Sequence, residues 1–359
     1  MKKLVIYVDS LAPSGGRERV VSNLLGYWNE KYEIVLLTKD TGNCFYELPQ
    51  NLKKISLNCP LHLDMSSRVN RIKSIILNFC KSVYSLKKYL KQIEFDYIYT
   101  ATPLNSFEVY LTGIEIGKKL VISEHASINA FNRVYMWMKK VVYPKAYCIS
   151  VPNSMDTKSY LEWGCSAVFI PHTVTFPATS RNKLNQKVVL NVGRLTADKQ
   201  QAKLISIWSQ IKDKNGWKLM IVGDGEEKER LHQLIQQKGV SDTVYLCGAR
   251  KDIDQVYRNA SIFAFTSRCE GFGMVLLEAM SFGIPCISFD CPSGPRDIVI
   301  NGENGFLIDN NCEDEFCNKL QEMLLYDEGD LLKLGERAFK TVQDWDNEEI
   351  FSRWDMIFK

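Results

Sequence analysis

Ile262-Phe-Ala-Phe265-Thr-Ser267-Arg-Cys-Glu270-Gly271-Phe272-Gly273-Met274-Val275-Leu-Leu-Glu278-Ala279-Met280 reads as three consecutive pieces of backbone. Four apolar, β-prone residues form a short buried strand, a polar loop with two glycines follows, and the apolar side chains beyond it return at helical spacing. A strand feeding a helix in this way is the unit from which parallel α/β sheets are built. In open sheets of that class ligands bind beyond the carboxyl ends of the strands, so the loop from Ser267 to Gly273 is the first place to look for chemistry. Its glycines let backbone approach a ligand, and the amides opening the helix at Met274 and Val275 suit an anionic group such as a diphosphate.

The same unit recurs on both sides. Upstream, Leu4 to Val8, Ile34 to Thr38, Tyr97 to Ala101, Leu120 to Ser123, Cys148 to Val151 and Val168 to Ile170 read as strands, separated by helical periodicity. A polar, turn-rich stretch from Thr175 to Gln186 interrupts the pattern. It restarts at Val188 to Val192 and continues through Trp217 to Val222, Thr243 to Cys247, Pro285 to Ser288 and Gly305 to Ile308. With 359 residues the chain exceeds one ordinary core of roughly 100 to 200 residues, which predicts two Rossmann-like domains and a cleft. Trp345, Ile350, Trp354 and Phe358 follow a near-helical spacing, and the segment they occupy is expected to return to the first domain and bury an aromatic face there. The predicted domains are therefore residues 1–175 with 344–359, and residues 176–343.

Other strand ends carry polar residues in patterns that suit phosphates and hydroxyls. After Val188 to Val192 come Gly193 and two cations five residues apart, Arg194 and Lys199. A planar guanidinium fork and a mobile ammonium together fit a diphosphate. Gly223, after Trp217 to Val222, closes another glycine turn, and Gly15 and Gly16 open a helix after the first strand. His125 follows the strand Leu120 to Ser123 directly. Glu270 in its loop and Glu278 inside the next helix place two carboxylates where they can hold hydroxyls of two different sugar rings.

Glu270 and Glu278, separated by seven residues that include Gly-Phe-Gly, resemble the paired-glutamate signature of the family 4 retaining glycosyltransferases, whose fold is called GT-B. The resemblance implies two facing Rossmann-like domains with a cleft between them and a C-terminal helix crossing back to the first domain. It assigns Glu270 and His125 to the transferred sugar and Glu278 to the ribose. Arg194 and Lys199 would hold the diphosphate with the backbone at Gly271, Phe272, Gly273, Met274 and Val275. Gly15, Gly16 and Gly223 would let backbone approach the donor, and the segment ending at Ile253 would wrap the base. Arg17 stands where that family commonly has alanine, and Ile170-Pro171-His172 where it has Ile-Pro-Asn, so His172 is read as a hinge residue. Asp290 to Val299 resembles a variant found among members that build bacterial surface polysaccharides.

The implied function is transfer of a hexose or N-acetylhexosamine, best galactose or N-acetylgalactosamine, from a UDP-sugar to an undecaprenyl-diphosphate-linked oligosaccharide in O-antigen or capsule synthesis. No metal or cofactor is implied. A nucleotide-sugar 2-epimerase of the same fold and a non-catalytic nucleotide-sugar-binding protein are the alternatives.

Composition sets limits on other classes. Hydrophobic residues make up 45% and charged residues 24%, which excludes a disordered or fibrous chain. The apolar run after Met1 is ended by Asp9, too soon for a secretory signal, and no stretch approaches the roughly 20 apolar residues of a bilayer span. A cytoplasmic protein is expected. The eleven cysteines are scattered without CxxC spacing and the four histidines, His62, His125, His172 and His232, form no ligand motif, so neither a disulfide framework nor a metal site is predicted. Net charge is +3, but residues 1–170 hold 22 basic against 14 acidic residues. Arg68 to Lys91 and Phe131 to Tyr143 interleave basic, apolar and aromatic residues, as helices resting on anionic lipid do, although ordinary core-facing helices would share the pattern. Peripheral contact with the inner face of the membrane is expected, and no motif points to nucleic acid.

Overall fold

The computed structural model describes residues 1–13, 15–60 and 66–359; Ser14 of the first glycine-rich loop and His62 lie outside the described residues. The chain divides into two compact units, Met1–His172 with Glu348–Lys359, and Thr173–Asn347. The sequence reading put its boundaries at 175/176 and 343/344.

Among the described residues the first unit holds seven strands: Lys3–Val8 (β1), Glu33–Thr38 (β2), Lys53–Ser56 (β3), Tyr97–Thr100 (β4), Leu120–Ser123 (β5), Cys148–Val151 (β6) and Ala167–Phe169 (β7). They pair in the order β3-β2-β1-β4-β5-β6-β7, all parallel. Buried on both faces, the central strands are mainly apolar, with Thr100, Ser123 and Ser150 buried among them. The edge strand β3, absent from the sequence reading, has Lys53 and Lys54 exposed and only Ile55 to mark it. Such charged, short edges resist pairing with other chains and for the same reason lack an apolar signature.

The second unit holds Val188–Val192 (β8), Lys218–Val222 (β9), Val244–Leu246 (β10), Ile262–Phe265 (β11), Cys286–Asp290 (β12) and Gly305–Asp309 (β13), in the order β10-β9-β8-β11-β12-β13 and again all parallel. In each sheet the chain moves outward from one central strand in both directions. The switch therefore falls at β1/β4 in one unit and β8/β11 in the other, where the carboxyl ends leave a crevice for ligands. Each unit has its own core, with Val5, Ile98, Ile122 and Ile149 central in the first and Leu190, Trp208, Phe263 and Phe289 in the second.

The helix Asn347–Ile357 completes the first unit from Glu348 onward. Trp354 and Phe358 meet the buried Trp28 edge-on, with centroids 5.3 and 5.2 Å away, and Phe351 stacks on Tyr27 at 4.0 Å. Asp355 accepts hydrogen bonds from the hydroxyls of Tyr27 (2.8 Å) and Tyr32 (2.9 Å) and pairs with Lys31 at 2.7 Å. Trp345 is a correction to the expected aromatic face. It lies before the helix and packs on Phe272 of the second unit at 5.8 Å, because the turn at Asp344 breaks the period.

None of the eleven cysteines is in a disulfide, and six are buried. No helix among the described residues is long and apolar enough to cross a membrane.

Candidate functional site

In the second unit the loops after β8, β9 and β10 are laced together by backbone. Gly193 N–H donates to Val222 O at 3.0 Å, Leu195 N–H to Asp224 O at 2.9 Å, and Gly223 N–H to Gly248 O at 2.9 Å. A Cβ on Gly223 would lie 1.8 Å from Gly193 O, so glycine there is a condition of the close approach. The loop leaves Arg194 exposed, with no hydrogen bond or ion pair to its guanidinium among the described residues. Lys199 ends the single turn Ala197–Lys199.

The loop after β11 is tied to that turn. Arg268 N–H donates to Asp198 O at 2.8 Å, Thr266 Oγ1 donates to Lys199 O at 3.1 Å, and the side chains of Arg268 and Asp198 form an ion pair. These bonds bring Lys199 Nζ onto Glu270 Oε1. Both groups are largely shielded, which strengthens the pairing relative to a surface bridge. Behind the loop Gly294, at φ +97°, would place a Cβ 2.1 Å from Phe272 O, so the chain after β12 presses directly on Gly271-Phe272. Gly273, also left-handed at φ +97°, turns the chain into the helix Met274–Met280.

Glu278 is buried and held apart from that pair: its Oε2 accepts from Tyr257 OH at 2.9 Å and its Oε1 from Thr175 Oγ1 at 3.2 Å. Tyr257, fully buried, is itself stacked on Phe282 at 5.6 Å. Neither Tyr257 nor Thr175 was singled out in the sequence, since only the fold brings them to Glu278. Ile253 begins the helix Ile253–Arg258, next to the exposed Arg250–Asp252 pair. Met274 and Val275 are half-buried at the start of their helix.

In the first unit Gly15 caps the helix Gly16–Trp28 in extended conformation, and a Cβ on it would fall 2.2 Å from Glu18 Oε2. Arg17, the residue that departs from the family pattern, donates from Nε to Glu18 Oε1 at 2.9 Å. His125 stands after β5 with its Nε2 3.4 Å from Tyr99 OH, while its Nδ1 is buried without a partner among the described residues. Its ring stacks on His172, centroids 5.2 Å apart and planes 21° from parallel. Burial, then His172 and Arg17, hold His125 well below the ordinary imidazole range, and burial pushes His172 down to about 3. Both rings are therefore neutral near pH 7. The hinge reading of His172 did not include this contact.

The residue before His125 is clamped. Buried Glu124 accepts from Tyr143 OH at 2.5 Å, Tyr160 OH at 2.7 Å and Lys139 Nζ at 2.5 Å, and Lys139 is also fully enclosed. Burial keeps both tyrosine hydroxyls protonated and so available as donors. No group of three or more His, Cys, Asp or Glu side chains able to hold a metal ion occurs among the described residues.

The family model described as "Glycosyl transferases group 1" matches residues 175–341. The amylovoran biosynthesis glycosyltransferase AmsD of Erwinia amylovora is 30% identical over 99% of both chains. The Campylobacter jejuni N-acetylgalactosamine-N,N'-diacetylbacillosaminyl-diphospho-undecaprenol 4-α-N-acetylgalactosaminyltransferase is 28% identical over 90% of both. The fold matches that of Anabaena HepE in complex with UDP-glucose, with TM-score 0.77 and 20% identity over 99% of this chain and 100% of that one. With a full-length relative at 30% identity and two Rossmann-like units of GT-B type, the chain belongs to the group 1 glycosyl transferases.

Proposed function

We propose that the protein is a retaining glycosyltransferase that moves galactose or N-acetylgalactosamine from a UDP-sugar to an undecaprenyl-diphosphate-linked oligosaccharide in bacterial surface-polysaccharide synthesis. The observation that carries this reading is the grouping of the exposed Arg194 guanidinium, Lys199 and Glu270 on glycine-shaped loops at the β8/β11 switch point. The names of the relatives in Erwinia and Campylobacter support the pathway and the acceptor class, and the UDP-glucose held by HepE supports a UDP donor.

In this reading Arg194, Lys199 and the amides at Gly271, Phe272, Gly273, Met274 and Val275 hold the diphosphate. Glu278 takes the ribose, the loop leading to Ile253 takes the base, and Gly15, Gly16 and Gly223 admit backbone close to the donor. Glu270 and His125 bind hydroxyls of the transferred sugar, His125 as a neutral imidazole. The bond from the anomeric carbon to the phosphate oxygen breaks, and the acceptor oxygen bonds that carbon on the same face. The acceptor proton passes to the departing phosphate oxygen, so UDP leaves and no protein base is consumed. Fixed cations stabilise the charge that develops on the leaving group, which removes the need for a metal. The site is on a protein that rests on the inner membrane face, and the apolar and basic residues exposed on the helix Arg68–Leu90 support that placement.

The test is a panel of UDP-sugars offered with short lipid-diphosphate acceptors in the presence of EDTA, read by mass spectrometry, with the anomeric configuration of the product assigned by NMR. An α-linked product and loss of about a hundredfold or more in turnover for Arg194→Ala and Glu270→Ala are expected. An inverted product, or activity abolished by EDTA, would overturn the mechanism, and conversion of the nucleotide sugar without acceptor would favour an epimerase.

A further inference from the structure

His125 has a firmly held backbone and a loosely held ring. Glu124 N–H donates to Ser150 O at 2.9 Å, the Glu124 carboxylate is clamped by Lys139, Tyr143 and Tyr160, and Ile128 N–H donates to Asp156 Oδ2 at 3.0 Å. The imidazole has none of this support. Among the described residues its Nε2 has only Tyr99 OH, at 3.4 Å and so at the outer limit of a hydrogen bond, and Nδ1 has no partner. What lies flat against it is His172, brought there by a backbone that is itself fixed: Ile170 N–H donates to Val151 O at 2.9 Å, and Pro171 restricts the next step of the chain.

We propose that His172 is a positioning residue for sugar binding: its imidazole, stacked on His125, fixes the plane of that ring and keeps water from its buried edge. The proposal rests on the reading above that His125 contacts the transferred sugar. A contact made by a ring nitrogen is only as well aimed as the ring plane, and a loss of alignment of about 1 Å can cost a hundredfold in rate. Among the described residues, the groups that face His125 are His172 from the segment after β7, Arg17 from the helix Gly16–Trp28 and Tyr99 from β4. Two of the three oppose a charge on the ring, and the third is a hydroxyl that can donate to it or accept from it. His172 therefore supplies the contact that orients the ring without offering an opposing charge that would make it an imidazolium.

The experiment compares His125→Ala, His172→Ala, His172→Phe and His172→Asn for turnover across pH, donor KM and the double variant His125→Ala/His172→Ala. Loss of about tenfold or more in kcat is expected for His172→Ala and His172→Asn, with recovery to within about threefold of wild type in His172→Phe, which restores a flat ring. The double variant should be no slower than His125→Ala alone, since the lost function is the same. In His172→Ala water reaches the His125 ring, so the acid limb of the kcat profile should move to higher pH. Wild-type kcat and an unmoved acid limb in a folded His172→Ala protein would overturn the proposal. If that variant does not fold, equal turnover of His172→Asn and His172→Phe would do so. Wild-type turnover in His125→Ala would instead remove the assignment of His125 to the sugar, which separates the two failures.

Discussion

Two neutral imidazoles stacked inside a protein set a measurable dependence on pH. His172 is pushed down to about 3 and His125 lies well below the usual range, burial being the main cause for both. In the unfolded chain each would take up a proton near pH 6.5, whereas the folded rings do not. Below that pH the unfolded state thus binds more protons, and stability falls by about 1.4 kcal/mol per pH unit for each ring once the pH is well below 6.5 and the folded ring is still neutral. Urea midpoints measured at pH 7.5 and 5.5 should differ more for wild type than for His125→Phe/His172→Phe, and an equal pH sensitivity of the two proteins would contradict the buried, neutral pair. Single residues were unevenly legible. Arg194, Lys199, Glu270 and Glu278 stand out because each follows a strand in a local pattern. Tyr257 and His172 do not, because their partners, Glu278 and His125, are 21 and 47 positions away and only the folded sheet brings them together.

The helix Arg68–Leu90 shows how far an element can be read. Its periodicity and basic content are visible in the sequence, and its C-terminal half buries Ser82, Leu86 and Leu90 as a core-facing helix should. Its first half behaves otherwise: Val69, Ile72 and Ile76 are about half exposed or more, beside Arg68, Arg71 and Lys73. On Arg133–Val142 the exposed Val134 and Trp137 have the same character. Apolar side chains with adjacent cations suit the boundary of an anionic bilayer. Ile72→Glu/Ile76→Glu should therefore leave the folding transition unchanged and lower co-flotation with phosphatidylglycerol vesicles by about tenfold in partition coefficient; unchanged flotation would mean that this face is not the contact. Most strands were legible to within one or two residues because parallel, doubly covered strands are apolar runs. Lys53–Ser56 was not, since a solvated edge carries little apolar signal.

At the scale of the whole chain, the two-unit organisation was legible because the strand–helix alternation stops and restarts around the polar stretch from Thr175 to Gln186. The C-terminal return was legible from its aromatic spacing, except that Trp345 serves the other unit through Phe272, and a period alone cannot tell which core a residue enters. Trp354, almost wholly buried against Trp28 and Tyr99, makes the return energetically substantial. Trp354→Ala is expected to cost the first unit about 3–5 kcal/mol, seen as an earlier first transition in thermal unfolding with the second unit's transition unmoved. A single unshifted melt would show that the helix adds little.

That helix also dictates an order of assembly during synthesis. The second unit lies wholly within Thr173–Asn347 and can close as soon as its last strand and helices leave the ribosome. The first unit, begun earlier, must keep the ring of Trp28 uncovered until Trp354 and Phe358 have emerged. The half of the nascent chain made first is thus the half finished last, and through that interval its unshielded aromatic seam is the surface a chaperone would meet.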